Sequence, residues 1–149
     1  MQFSDDGGGF SFKCDDAKFT ISASTWSTKL SQIWKISGSI CIMTKLLPNP
    51  KYIATILSKR PNNIFIIAHI EAQDNARIIK EQFPGVRIAL HPKVNAKVVF
   101  IEPHTVWISS ADFGESKMLE SAIGIHSEEV YERGLKELYG KEWNNAKEI

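Results

Sequence analysis

Five consecutive apolar residues, Ile64-Phe65-Ile66-Ile67-Ala68, show no alternation between apolar and polar positions. A strand with one face in water alternates, whereas a strand that is apolar throughout belongs in a sheet covered on both faces. Helical patterns flank this run. Before it, Tyr52, Ile53, Ile56 and Leu57 recur at helical spacing and stop at the Arg60-Pro61-Asn62-Asn63 break. After it, residues 73–83 place Ala76, Ile79 and Phe83 on one face and close at Pro84-Gly85. A second apolar run, residues 86–90, follows. Strands alternating with helices predict an α/β sandwich, its mixed or partly parallel sheet flanked by helices.

The rest of the chain extends this pattern. The glycine-rich start, SDDGGGF, reads as a flexible leader over residues 1–9. Residues 10–13 and 18–22 read as the arms of a hairpin around Asp15-Asp16. Trp26, Leu30, Ile33 and Trp34 fall on one apolar helical face. Residues 39–43 predict a short buried strand. Residues 96–101 and 105–108 are β-branched runs separated by a turn at Pro103-His104, which predicts a hairpin. A last strand is expected over 122–125, and a helix from Ser127 to near Trp143. No internal repeat, low-complexity tract or linker interrupts the chain, so residues 1–149 read as a single domain.

Composition narrows the function classes. The chain has 149 residues, enough to bury one good core. Its net charge of +1 supplies no strong basic field for nonspecific nucleic-acid binding, although a local basic face is compatible with it. No apolar run reaches the roughly 18 residues of a membrane span. No basic leader precedes a long apolar stretch, so no classical signal peptide is expected. Cys14 and Cys41 have no metal-like spacing. Cys41, within SICIM, is expected to be a buried thiol, and the pair points to reducing, cytoplasmic surroundings.

The chemistry-bearing stretch is residues 95–120, NAKVVFIEPHTVWISSADFGESKMLE. One residue separates Asn95 from Lys97, four separate Lys97 from Glu102, and six separate Glu102 from Ser109-Ser110. Asp112 and Glu120 follow. This frame resembles the signature of the phospholipase D superfamily, His-x-Lys-x4-Asp-x6-Gly-Ser-x-Asn, which a Glu often follows several residues later. Lys97, Ser110 and Glu120 match it. Asn95 stands in place of the His, Glu102 of the Asp, Ser109 of the Gly and Asp112 of the Asn. The resemblance is best over residues 86–143.

The resemblance implies phosphodiester chemistry without a metal or other cofactor. In the family one His attacks phosphorus to give a phosphohistidine, and a second protonates the leaving oxygen. The Lys and nearby hydroxyl and amide groups hold the phosphoryl oxygens, and an acidic residue orients the His. Carried onto this chain, the site comprises Asn95, Lys97, Glu102, Ser110, Asp112 and Glu120. Asn95 has no imidazole nitrogen to attack with and does not titrate near neutral pH. Its amide still donates hydrogen bonds suited to a phosphate oxygen. The expectation is a phospholipase D-like nuclease-fold protein, catalytically inactive, that binds a phosphodiester or nucleic acid or contacts a protein partner. The alternative is a DNA or RNA endonuclease whose His was replaced by engineering; a third reading has other residues performing the chemistry. A lipid-acting phospholipase is disfavoured, because such enzymes are larger and carry two motifs. One motif per chain, at the length of the family's small bacterial endonucleases, implies a two-fold homodimer. Asp112 puts a carboxylate where a neutral donor is expected, which is unfavourable in an anion site.

Other polar residues read as structural. His91-Pro92-Lys93 is itself a His-x-Lys pair, but starting the frame there puts Val98 at the acidic position and breaks the later spacing. His91 is expected in a loop and His104 in a solvated turn, with His69 and His126 at strand ends. Glu71 and Asp74 read as helix-start carboxylates. Trp26, Trp34, Trp107 and Trp143 are expected in the core or at an interface.

Overall fold

The computed structural model describes residues 2–14, 16–22 and 26–149. The strands are β1 (Ala17–Ser22), β2 (Ile40–Met43), β3 (Ile64–His69), β4 (Arg87–His91), β5 (Val98–Ile101), β6 (Thr105–Ser109), β7 (Glu120–His126) and β8 (Lys147–Glu148). They form one sheet in the order β1-β7-β6-β5-β2-β3-β4-β8. β2, β3 and β4 are parallel, and every other pairing is antiparallel. β3 lies inside the parallel block. Ile64, Ile66, Ile67 and Ala68 are at most 1% exposed, as their unbroken apolar run requires.

Helices cover both faces. On one side lie α1 (Trp26–Lys29), a 3-10 turn (Ile33–Lys35), α2 (Pro50–Leu57) and α3 (Gln73–Gln82). Their apolar faces close a core with Ile40, Ile42, Ile66, Ile88, Val99 and Ile101. Asn49 starts α2 by accepting the Tyr52 N–H, with Pro50 pre-set for the first turn. On the other side lie α4 (Glu128–Gly134), a π-helical stretch (Leu135–Gly140) and α5 (Lys141–Asn144). Ser127 caps α4 by accepting the Val130 N–H. Tyr131 and Tyr139 meet the Phe100 ring edge-on, with centroids 6.3 and 6.1 Å away. Gly134 permits this approach, since a Cβ there would lie 2.5 Å from the Phe100 ring.

Two expectations need correcting. Residues 18–22 do form a strand, but residues 10–13 form none, and β1 pairs with β7, Lys18 opposite Gly124. β7 would otherwise present an open row of backbone groups, and β1 satisfies it over six residue pairs. Asp15 lies outside the described residues. The apolar helical face at Trp26, Leu30, Ile33 and Trp34 also breaks. After α1 the backbone tightens into a 3-10 turn, whose shorter period rotates Trp34 outward to 61% exposure while the other three stay buried.

β8 was not anticipated. It lies against β4, where Arg87 grips Glu148 with two hydrogen bonds of 2.8 and 2.7 Å and the Ile149 N–H donates to the Ile88 carbonyl at 2.9 Å. Among the described residues, no helix is long and apolar enough to cross a membrane.

Candidate functional site

The site collects at one end of the sheet, where β2, β3, β4 and β6 finish and β5 and β7 begin. The β5–β6 hairpin sets its register. Ser109 closes β6 opposite Lys97 and donates its N–H to the Lys97 carbonyl at 3.1 Å. Lys97 Nζ donates to Asn95 Oδ1 at 3.0 Å, so two motif positions touch directly. Ser110 Oγ donates to Glu120 Oε1 at 3.0 Å and accepts the Ser121 N–H at 3.0 Å. The Ser110 N–H donates to the Ser121 carbonyl at 2.9 Å, which ties the loop to the start of β7. Asn95 and Ser110 are exposed and Lys97 is half-buried, so the arrangement is open to a ligand from solvent.

Asp112 turns toward the loop after β2. Its Oδ1 accepts the N–H groups of Lys45 and Leu46 at 2.9 and 3.1 Å and lies 3.0 Å from the Thr44 hydroxyl. Thr44 is fully buried and also accepts the Phe113 N–H at 2.9 Å. Two backbone N–H groups thus donate to this oxygen, while the single Thr44 hydroxyl proton is divided between it and the Leu46 carbonyl at 2.8 Å, and the Asp112 side chain clasps two loops together. Sequence reasoning missed Thr44 and this clasp; a Thr directly after the apolar strand SICIM was the available signal.

Glu102 is at the opposite end of β5. Its Oε1 accepts the Ser39 hydroxyl at 3.1 Å, and Gly38 leaves the space its side chain occupies. Five residue steps of extended chain separate it from Lys97, about 16 Å. The structure therefore brings Asn95, Lys97, Ser109, Ser110 and Glu120 to one sheet end, sets Asp112 beside them and holds Glu102 away.

The histidines depart from expectation at two positions. His91 closes β4 and is 7% exposed, because α5 packs over it. Its Nδ1 accepts the Lys93 N–H at 2.9 Å, and its Nε2 is 3.6 Å from Glu142 Oε1. The Asn145 amide, with His91 beside it, holds the Glu142 carboxyl below its usual range. His104, in the β5–β6 turn, is half-buried and stacks on His126 at 4.9 Å rather than facing solvent. His126 in turn pairs with Asp16 at 2.5 Å. His69 ends β3 and accepts the Glu71 N–H. Among the described residues, no group of His, Cys, Asp and Glu is arranged to hold a metal ion. Burial pushes the Cys41 thiol up to about 11, leaving it protonated and unreactive at neutral pH.

An apolar strip borders the site on the α4 side of the sheet. Phe19, Ile21, Ile108 and Ile123 are each at least 39% exposed. A cavity of about 330 Å³ runs from Phe19, Ile108 and Ile123 to Ser109, Ser110 and Ser121.

No protein-family model matches the chain, and no curated protein is similar enough in sequence to stand as a relative. Solved structures do match. Nuc from Salmonella typhimurium, a phospholipase D family member, superposes with a TM-score of 0.72 at 18% identity, covering 90% of this chain and 99% of Nuc. NucT from Helicobacter pylori gives 0.68 at 16% identity, over 90% of this chain and 100% of NucT. TrmBL2, an archaeal chromatin protein, gives 0.61 at 11% identity, over 91% of this chain and 54% of its own. At such identities the likeness concerns architecture, and the architecture of this chain is the phospholipase D fold.

Proposed function

We propose that this chain binds the phosphodiester backbone of nucleic acid at Asn95, Lys97 and Ser110 and does not cleave it by the covalent histidine route. The contact between the Lys97 ammonium and the Asn95 carboxamide, at 3.0 Å on the open sheet end, carries this reading. Among the described residues no carboxylate lies within ion-pair distance of Lys97, so its charge is available to an anion. The Asn95 amide is a neutral donor that suits a second phosphate oxygen, and the Ser110 hydroxyl becomes one on turning away from Glu120. Nothing at position 95 can attack phosphorus, and Glu120 receives the Ser110 hydroxyl rather than an imidazole. TrmBL2, which shares the fold, is described by a mode of DNA binding, in keeping with a nucleic-acid ligand.

Fluorescence anisotropy with labelled DNA and RNA oligonucleotides tests the reading. Binding without cleavage is the expected result, and Lys97→Ala should weaken it about tenfold or more, as for loss of a hydrogen bond to a charged group. Turnover by the pure protein that Lys97→Ala removes would overturn it and point to another nucleophile.

We further read the site as completed by a second copy across a two-fold axis, since each chain supplies one motif. The exposed strip of Phe19, Ile21, Ile108 and Ile123 borders Ser110 and Ser121 and supports this reading, as do Met118 and Leu119, 72% and 78% exposed in the segment that leads into β7. A partner's equivalent strip would cover it and bring two Lys97 ammoniums to one cleft. Sedimentation at micromolar concentration should give twice 16.8 kDa, and Ile108→Asp should give the monomer. A monomeric unaltered protein would refute the arrangement.

A further inference from the structure

We propose a second anion subsite, formed by Lys29 on the Trp107 ring and by Lys18 in the same cross-strand row, that holds the backbone phosphate flanking the one at Asn95, Lys97 and Ser110. It rests on the nucleic-acid reading above and turns that single contact into a path for the strand.

The subsite begins with α1, which lays Lys29 against two indoles. Its Nζ is 5.1 Å from the Trp107 ring centroid and 5.4 Å from that of Trp26. The two rings hold the cation in place and strip part of its water. Lys29 is half-buried, its stem laid along the indoles and its ammonium turned toward the surface. Among the described residues, neither Lys29 nor Lys18 has a carboxylate within ion-pair distance. The charged neighbour that acts on Lys29 is another cation, Lys18; burial first, and then this repulsion, hold its ammonium below the usual range. Two neighbouring positive charges without a carboxylate, one of them on an aromatic platform, are complementary to an anion supplied from outside.

The strand register shows where that anion lies. Lys18 on β1, Gly124 on β7 and Trp107 on β6 form one cross-strand row. A Cβ at Gly124 would sit 2.6 Å from the Trp107 ring, so the glycine lets the indole lie across β7 toward Lys18. The next row toward the site is Thr20, Ala122 and Ser109, all short side chains, and Ser109 faces Lys97 across the hairpin. The platform is thus two residues along β6 from Ser109, about 7 Å. Trp26 fastens it to the site loop by donating its Nε1–H to the Asp112 carbonyl at 3.0 Å. A ligand with one charge fills the Lys97 site alone, whereas a polyanion reaches both.

The test compares ligands of different length across a salt series. The probes are a labelled twelve-nucleotide strand and a dinucleoside monophosphate, which has one phosphodiester. Lys29→Gln is expected to weaken the long strand about three- to tenfold and to lower its slope of log affinity against log salt by roughly 0.7, the value for one lost single-strand phosphate contact. Lys18→Gln, on the exposed face of β1, should do the same, and it answers the question should the buried-face variant fail to fold. Dinucleotide binding should not change. Long-strand affinity and slope unaltered in both variants, with Lys97→Ala still defective, would overturn the subsite and leave the site reading standing. A parallel loss of dinucleotide binding would also overturn it, by showing that the lysines act on the first site. Absence of any oligonucleotide binding by the unaltered protein would sink both.

Discussion

Asn95→His is expected to turn the chain into a phosphodiesterase, raising oligonucleotide cleavage at least about a thousandfold over background. Removing a catalytic nucleophile costs up to about six powers of ten where the rest of the machinery acts as a unit, and restoring one recovers a fraction of that. The fraction here depends on what already stands beside position 95. Lys97 reaches the residue 95 side chain at 3.0 Å, and Ser110 and Glu120 are joined at the same sheet end. Glu120 has to release the Ser110 hydroxyl before it can accept an imidazole N–H. Full recovery is not expected, because Ser109 and Asp112 still differ from the signature. The proton for the leaving oxygen would come from the second copy's His, so activity should fall on dilution below the dimer's dissociation constant. Denaturing gels of the reaction should trap a labelled phosphohistidine. A folded, dimeric Asn95→His protein that neither cleaves nor labels would show that the phosphate site itself is gone.

The second large effect is on stability. Asp112→Ala should destabilise the fold by about 3 kcal/mol, because two backbone N–H groups lose their common acceptor and the buried Thr44 hydroxyl keeps only the Leu46 carbonyl. For a chain of this length that corresponds to a fall in Tm of about 10 °C. Asp112→Asn keeps an oxygen at the same place and should cost less than about 1 kcal/mol. Thermal melts followed by circular dichroism separate the two. An alanine variant melting within about 2 °C of the parent would mean that the clasp contributes little. The pair of variants also separates roles: the carboxylate that looked hostile to phosphate is occupied with loops that sequence spacing does not connect.

The signature's spacing turns out to measure a hairpin. The four residues between Lys97 and Glu102 are β5 itself, and the six before Ser109 are the turn plus the returning strand β6. Both intervals are dictated by sheet geometry, which is why the fold was legible from a frame whose His was absent. The same geometry carries Glu102 about 16 Å from Lys97, so nearness in the motif did not mean nearness in space. Strands of unbroken apolar character, such as residues 64–68, were legible because burial on both faces leaves no other composition. Features decided by distant partners were not. β1 found β7 a hundred residues away, Asp112 found the loop after β2, and His91 was buried by a helix fifty residues later. β8, with two residues, is too short to carry any periodicity.

That short strand has a colloidal consequence. β4 is the outer member of the parallel block, and without β8 its Ile88-Ala89-Leu90 run would present free backbone groups to any passing chain. The closure is a clasp of two residues, held by an Arg87–Glu148 ion pair that is largely exposed and therefore screened by salt. Arg87 holds the Glu148 carboxyl below its usual range, so the clasp is intact above the ordinary carboxylate pKa and weakens as pH falls through the depressed one. Acid and high salt thus act on the same latch, and what the latch restrains is strand-to-strand aggregation.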